Sequence, residues 1–365
     1  MLLKIKAFLF FHTSNIKLFT TFGIMHAEKY ILITGGMGFI GSHTAIELIQ
    51  SGYTPIIVDD LRNSSSIVLA GIKEITGVLP LFIQTACQDE VALDAVFKQY
   101  DIEGVIHFAA DKAVGESVQN PLKYYSNNIE SLLSLLRVME GNSVYNLVFS
   151  SSCTVYGMPE NEIVTEKDTS TNYASPYGHS KMIGEEILQG LSKRKAEWKI
   201  TLLRYFNPIG AHPLGHIGEL PIGVPNNLVP YLMQVANGER EFLSVFGNDY
   251  ATPDGTCVRD YLHVCDLAEV HVLALKNIGS NASTNCDVFN VGTGTGTSVL
   301  ELITIFKDEL KVDLPYKVTE RRPGDCAAMV AGVEKIGKEL NWEAKYTVKD
   351  ALIHAWNWEQ KRNKL

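Results

Sequence analysis

Three side chains near the middle of the chain have the types and the spacing of an acid–base device. Tyr177 and Lys181 lie one helical turn apart in Tyr177-Gly178-His179-Ser180-Lys181, behind Ser175-Pro176, which reads as a helix start. Ser152 ends the run Ser150-Ser151-Ser152 that follows the apolar stretch Tyr145 to Phe149. A free phenol has a pKa of about 10 and is a poor base at neutral pH. An ammonium fixed beside it favours the phenolate, and the spacing predicts that Lys181 does this for Tyr177. Ser152 is placed to hydrogen-bond a substrate oxygen and help move the proton. An arbitrary Tyr-x-x-x-Lys is more often a pair of surface neighbours, so its surroundings decide its meaning.

Those surroundings read as a nucleotide site. Tyr30-Ile31-Leu32-Ile33 is the pattern of a strand buried on both faces. Gly35, Gly36, Gly38 and Gly41 follow, and Ser42 to Ile49 reads as a helix. Glycine lets a backbone approach a pyrophosphate, and a helix N-terminus offers N–H groups and partial positive charge. The next apolar run, Pro55 to Val58, ends at Asp59, whose carboxylate can accept hydrogen bonds from an adenosine ribose. A nicotinamide ring beside Tyr177 would add its own positive charge to the pull on the phenol. Strands and helices keep alternating: Leu81 to Ile83 and Gly104 to Ala110 read as strands, Val91 to Tyr100 and Tyr124 to Met139 as helices. This alternation predicts an α/β fold, a Rossmann-type doubly wound parallel sheet with ligands at the carboxyl ends of its strands.

Past residue 208 proline and glycine become frequent, from Pro208 through Pro230, and a domain change is placed there. The reading is an extension over 1–27, a dinucleotide-binding domain over 28–208, and a smaller C-terminal α/β substrate domain over 209–365. Parts of about 258–295 are expected to return to the first domain. The 365 residues are 46% hydrophobic and 20% charged, ordinary for a soluble globular protein. A net charge of -9 argues against nucleic acid as a partner. Six cysteines at 87, 153, 257, 265, 286 and 326 form no CxxC pair, which favours free thiols in a reducing compartment over disulfides or zinc; no metal is expected. Residues 1–27 are apolar with Lys4, Lys6 and Lys17. They fit a signal or transit peptide, but an upstream extension before Met25 is favoured. No later stretch is long and apolar enough to span a membrane, and the expected location is cytoplasmic.

The segments GGMGFIGSH, HFAADKAVGESV, SSSCTVYG, SPYGHSK, LRYFNPIGAH, FGNDY, DGTCVRDYLHV and RRPGD, from about residue 29 to 360, resemble the UDP-glucose 4-epimerases, extended short-chain dehydrogenases/reductases. The resemblance implies NAD as cofactor, UDP-glucose and UDP-galactose as substrates, with the N-acetylated sugars left open, and a homodimer paired through the helices Tyr124 to Met139 and Tyr177 to Leu191. It implies Ser152, Tyr177 and Lys181 as the catalytic trio. Cofactor contacts are implied at Gly35, Gly38, Phe39, Ile40, Gly41, Asp59, Asn63, Phe108, Ala109, Lys112, Asn127 and Phe206, as well as at the trio. Substrate contacts are implied at Lys112, Ser152, Tyr177, Asn207, Asn226, Asn227, Leu228, Phe246, Arg259, Arg322, Asp325 and Met329. The implied mechanism has Tyr177 take the proton of the sugar 4-hydroxyl as C4 gives up hydride; the 4-keto sugar turns, held by its UDP, and hydride returns to the other face.

Departures are informative. Ala86 stands where the family commonly has an aspartate near adenine, with Gln88 and Asp89 as candidate substitutes. Arg62 clouds the choice of NAD over NADP, although Asp59 would repel a 2′-phosphate. His179 replaces a more usual basic residue and is expected to be exposed. Met329 is intermediate between side chains that close and open the sugar pocket to N-acetyl groups. His107, His263, His271 and His354 lack ligand spacing, and Trp356 and Trp358 read as packing. A 4,6-dehydratase on the same fold needs an acid pair beside the strand-end serine, where this chain has Cys153 and Thr154. A non-catalytic dinucleotide sensor would usually lack Tyr177 or Lys181.

Overall fold

The apolar runs of the first half form strands largely covered on both faces, save at the edge strand Leu81–Gln84. β1 (Tyr30–Thr34), β2 (Thr54–Asp59), β3 (Leu81–Gln84), β4 (Ile102–His107) and β5 (Asn146–Ser150) join Lys199–Tyr205 and Cys286–Val291 in one seven-stranded sheet. The computed structural model describes residues 28–168, 172–281, 284–322 and 324–362; the targeting reading of residues 1–27 lies outside them. The sheet runs Cys286–Val291, Lys199–Tyr205, β5, β4, β1, β2, β3, and every pairing in it is parallel. The chain reverses direction across the sheet between β1 and β4, which opens a crevice at their carboxyl ends.

Alternate residues of each strand feed opposite layers. Ile31 and Ile33 pack with Ala45, Ile46 and Leu48 of α1 (Phe39–Gln50) and with Leu267 and Val270 of the helix Val264–Asn277. Leu32 packs on the other side with Leu93 and Val96 of Glu90–Gln99 and with Leu132, Leu135 and Met139 of Pro121–Gly141. Each such side chain contributes about 1.5–3 kcal/mol by leaving water. That is why these strands are continuous apolar runs rather than alternating ones.

A smaller α/β unit sits at the carboxyl end of the sheet. Thr297–Ser298, Val258–Arg259, Ala328–Ala331 and Ile163–Val164 make a four-stranded sheet, and Leu243–Phe246 pairs with Tyr316–Thr319. Its own core gathers Val229, Leu232, Met233, Leu302, Phe306 and Leu352. All six cysteines are unpaired. Among the described residues no helix is long and apolar enough to cross a membrane, and no His, Cys, Asp and Glu cluster could hold a metal ion.

Candidate active site

The glycine loop after β1 is tight for steric reasons. Gly35 has φ +69, and a Cβ there would lie 2.7 Å from the Ala109 nitrogen. A Cβ on Gly41 would lie 2.5 Å from the Gly35 carbonyl oxygen. α1 starts at Phe39 behind Gly38, which makes no side-chain cap, and its first turn has no acidic residue. The positive end of the helix therefore faces the crevice without a carboxylate of its own. Asp59, ending β2, accepts from Met37 N at 3.0 Å, Leu61 N at 2.9 Å and Ser64 Oγ at 2.8 Å. It thereby ties the glycine loop to the turn after β2. These features fit a dinucleotide: a backbone cradle, a helix N-terminus and a carboxylate at the neighbouring strand end. The cleft in front of them has a volume of about 440 Å³. Gly35, Gly38, Phe39, Ile40, Gly41, Asp59, Asn63, Phe108, Ala109, Lys112, Asn127, Tyr177 and Lys181 line it, and Asn226 and Asn227 face it from the smaller unit.

Ser152, Tyr177 and Lys181 stand together at the carboxyl end of β5. Ser175 caps the helix Pro176–Arg194 by accepting from Gly178 N at 3.1 Å, with Pro176 in its first turn. Gly178 lies against the Thr154 backbone, where a Cβ would come within 2.9 Å of the carbonyl oxygen. This contact seats Tyr177 beside the strand end that carries Ser152. Lys181 donates from Nζ to the Ser150 carbonyl at 2.7 Å and lies 5.1 Å from the Phe149 ring centre. Both Tyr177 and Lys181 are buried. Burial, and then the nearby Tyr205 phenol, pushes the Tyr177 pKa well above that of a free phenol, while a hydrogen bond with Ser152 acts to lower it. Burial pushes Lys181 down to about 8, opposed by Glu185. The spacing predicted that the ammonium governs the phenol. Without dinucleotide, desolvation disfavours both charged forms at once and acts against that pull.

The arginines that the resemblance assigns to a diphosphate lie beyond a small apolar cluster. Cys153, next to Ser152, packs with Phe206, Met329 and Cys326. The register Arg259↔Met329 places Arg259 beside this cluster. Arg259 approaches Asp325 at 3.6 Å, Arg322 approaches the same carboxylate at 3.2 Å, and the Arg322 guanidinium lies 4.8 Å from the Phe246 ring centre. Arg259, Arg322, Asp325 and Phe246 thus form one group. Asn207 is half-buried on the short strand Asn207–Ile209, where its backbone N–H donates to Asp260 O. Leu228 opens the helix Leu228–Ala236 behind Asn227 and packs on the core of the smaller unit.

Residues 31–292 match the model of the NAD dependent epimerase/dehydratase family. The chain belongs to that family. It is 51% identical over 329 residues to the UDP-glucose 4-epimerase of Bacillus subtilis (strain 168), covering 90% of this chain and 96% of the relative. It is similar to the crystal structure of UDP-glucose 4-epimerase from Bifidobacterium longum in complex with NAD+ and UDP, with TM-score 0.87 and 45% identity over 92% of this chain and 99% of the other. A UDP-glucose 4-epimerase from Stenotrophomonas maltophila, with bound NAD and formylated UDP-arabinopyranose, superimposes with TM-score 0.89 at 42% identity, covering 93% and 99%.

Within this family member several side chains have partners that the sequence left open. Phe206, just past the end of the strand Lys199–Tyr205, lies in the apolar cluster, while its neighbour Tyr205 lines the cleft and bonds Ser150 Oγ at 2.6 Å. Asp89 caps the helix Glu90–Gln99 through Ala92 N, whereas Gln88 lines the cleft and donates to Asn127 Oδ1 at 3.0 Å. Arg62 is held by Asp60 and donates to the same Asn127 oxygen at 2.8 Å. His179 is not simply exposed: it stacks on Tyr173 at 3.9 Å and bonds the Tyr125 hydroxyl at 2.8 Å. Two groups went unnoticed in the sequence. Glu185, one turn beyond Lys181, pairs with Arg204 at 2.6 Å and accepts from Ser151 Oγ at 2.5 Å, bracing the strand end. Glu219 lines the cleft and pairs with Lys112 at 2.9 Å. The i, i+4 spacing to Lys181 could have marked Glu185; nothing local marks Glu219.

Proposed function

We propose that the chain interconverts UDP-glucose and UDP-galactose by inverting C4 of the sugar through a 4-keto intermediate. The observation that carries this reading is the arrangement around one apolar cluster: Tyr177, Ser152 and Lys181 on one side, Arg259 and Arg322 on the other. Tyr177 takes the proton from the sugar 4-hydroxyl and later returns it. Ser152 hydrogen-bonds the same oxygen and the phenol. Lys181 holds a buried ammonium where negative charge on the phenol is stabilised. NAD, when bound, supplies the hydride carrier for C4 and a positive ring that offsets the burial of the phenol. Gly35, Gly38, Gly41, Asp59 and Asn127 would hold it. Inversion needs a firm anchor and a loose sugar pocket. Two guanidiniums suit a diphosphate. Met329, Phe206 and Cys153 offer the sugar few directional bonds, so it can turn. Met329 is unbranched and flexible, which suits N-acetylated sugars as further substrates.

We assign residues 28–208 with Val264–Asn277 and Cys286–Val291 to the NAD domain, and most of the rest of 209–365 to the UDP-sugar domain. Homodimer formation through Pro121–Gly141 and Pro176–Arg194 is part of the reading, supported by exposed Val118 and Leu122 beside their contact. Six free thiols support a reducing, cytoplasmic setting.

The test is incubation of the purified protein with UDP-galactose alone. UDP-glucose forms without added cofactor or net reduction of NAD. A stable keto sugar, or no conversion by protein that retains dinucleotide, overturns the reading. UDP-N-acetylgalactosamine in the same assay tests the wider range, and sedimentation tests the dimer.

A further inference from the structure

Glu219 lies between Ile209 and Leu228, on the segment that crosses from the main sheet to the smaller unit, and its carboxylate meets both halves of the cleft. Oε1 accepts Lys112 Nζ at 2.9 Å and Asn227 Nδ2 at 3.3 Å. Lys112 follows β4 on the dinucleotide side. Asn227 is the N-cap of Leu228–Ala236 on the other side. The Glu219 side chain is only 14% exposed, against 47% for Lys112. Its backbone is pinned as well, since Trp358 donates from Nε1 to Glu219 O at 3.1 Å. Gly218 leaves no slack, because a Cβ there would lie 2.4 Å from the Trp358 ring. A bare carboxylate in a cleft for phosphates repels its ligands. Paired with an ammonium and an amide, it instead fixes where those two groups point.

We propose that Glu219 is a positioning residue that sets the Lys112 ammonium and the Asn227 turn together, so that the two halves of the site are registered through one carboxylate. The proposal rests on reading the cleft as a site for NAD and a UDP-sugar. Glu219→Gln keeps an acceptor for Asn227 but loses the charge that holds Lys112; Glu219→Ala loses both. The proposal is tested on the purified protein with its own dinucleotide, by a cycle of Glu219→Gln, Lys112→Met and the double variant. kcat and KM for UDP-galactose, UDP affinity by calorimetry, and Tm are measured for each. Each single change lowers kcat/KM roughly tenfold, and the double variant loses little more than either single, because the two act through one contact. Glu219→Ala also weakens UDP binding roughly tenfold, with Tm unchanged. Losses that multiply in the double variant, or wild-type values for Glu219→Gln, overturn the proposal. A merely structural role lowers Tm and gives multiplying losses. Wild-type protein that does not turn over UDP-galactose sinks the epimerase reading instead. The same cycle on UDP affinity then still decides the role of Glu219: shared losses support it and multiplying losses overturn it.

Discussion

The two halves of the cleft are built from different materials. The dinucleotide half is backbone: a glycine packed against the Phe108–Ala109 main chain just past β4, a helix N-terminus, and a carboxylate already bonded to two N–H groups. The UDP-sugar half is side chains, and its cations Arg259 and Arg322 are paired with a carboxylate of the chain, Asp325; the Lys112–Glu219 pair joins the two halves. The first half is preformed and tolerates almost no added atom. In the proposed site the second exchanges in-chain partners for ligand oxygens, so its side chains can be replaced singly. A resident cofactor suits the first kind of surface, and a substrate that arrives and leaves suits the second.

The largest effect is expected where the halves meet. Tyr177→Phe removes the proton acceptor without touching either anchor, so kcat falls by about a thousandfold or more while UDP affinity and dinucleotide retention stay near wild type. Steady-state kinetics beside calorimetry check it. Near-normal turnover removes Tyr177 as base, and lost UDP binding breaks the separation of the halves.

Lys181 tests the claim that burial governs this junction. Its pKa in the fold, about 8, lies below the ordinary lysine value, so burial penalises the ammonium. Between about pH 8 and 10.5 the unfolded chain binds more protons at this position than the folded one, and stability rises with pH. Below that window both states are protonated and the full penalty remains, on the order of 3 kcal/mol. Lys181→Met, studied without dinucleotide, is therefore more stable than wild type at pH 7, reduced by the bond to Ser150 O that it gives up. Its advantage shrinks as pH approaches 10.5. Denaturant titrations of both proteins at pH 7 and pH 10 decide this; a constant difference contradicts it.

Gly41→Ala probes the backbone half. The added methyl falls 2.5 Å from Gly35 O and 2.7 Å from Gly36 Cα, so main chain must shift. Overpacking of this kind costs about 1–3 kcal/mol and opens the turn that the pyrophosphate would use. Tm falls, and the dinucleotide that co-purifies with the protein is lost. Full retention of dinucleotide would show that the cradle is softer than the close approach implies.

The same contrast explains what could be read from the chain. Strand, glycine turn, helix and acid lie within thirty residues of each other, and each obeys a local rule, so the dinucleotide half was legible from residues alone. The Ser175-Pro176 cap likewise placed Tyr177 and Lys181 on one helix face. Arg259, Arg322 and Asp325 carry no local signal, and only resemblance pointed to them; their convergence depends on how Val258–Arg259 pairs with Ala328–Ala331. The Lys112–Glu219 pair joins residues far apart in sequence and follows no periodicity. The phenol's burial was not legible for a related reason: spacing shows that Lys181 is near, but burial depends on layers of the fold that no short motif contains.

The smallest expected effect separates two arginines that resemblance treats alike. Arg259 is largely covered, donates to its own Val258 carbonyl at 2.8 Å and sits beside the Met329 cluster. Arg322 is half-exposed and rests on Phe246. Each offers one charged contact to a diphosphate, so either change to alanine weakens UDP binding about tenfold. They differ in what the ligand-free fold loses. Arg259→Ala strips partly buried Asp325 of a cation and opens a gap at the strand pair, lowering stability by about 1–2 kcal/mol. Arg322→Ala removes a surface partner and leaves stability within about 0.5 kcal/mol of wild type. Raising salt therefore weakens UDP binding more through Arg322 than through the shielded Arg259. Calorimetry of both variants at low and high salt, beside their Tm values, reads these differences. Equal salt sensitivity and equal stability would mean that the two arginines form one exposed patch, and that the UDP-sugar half lacks the graded burial seen here.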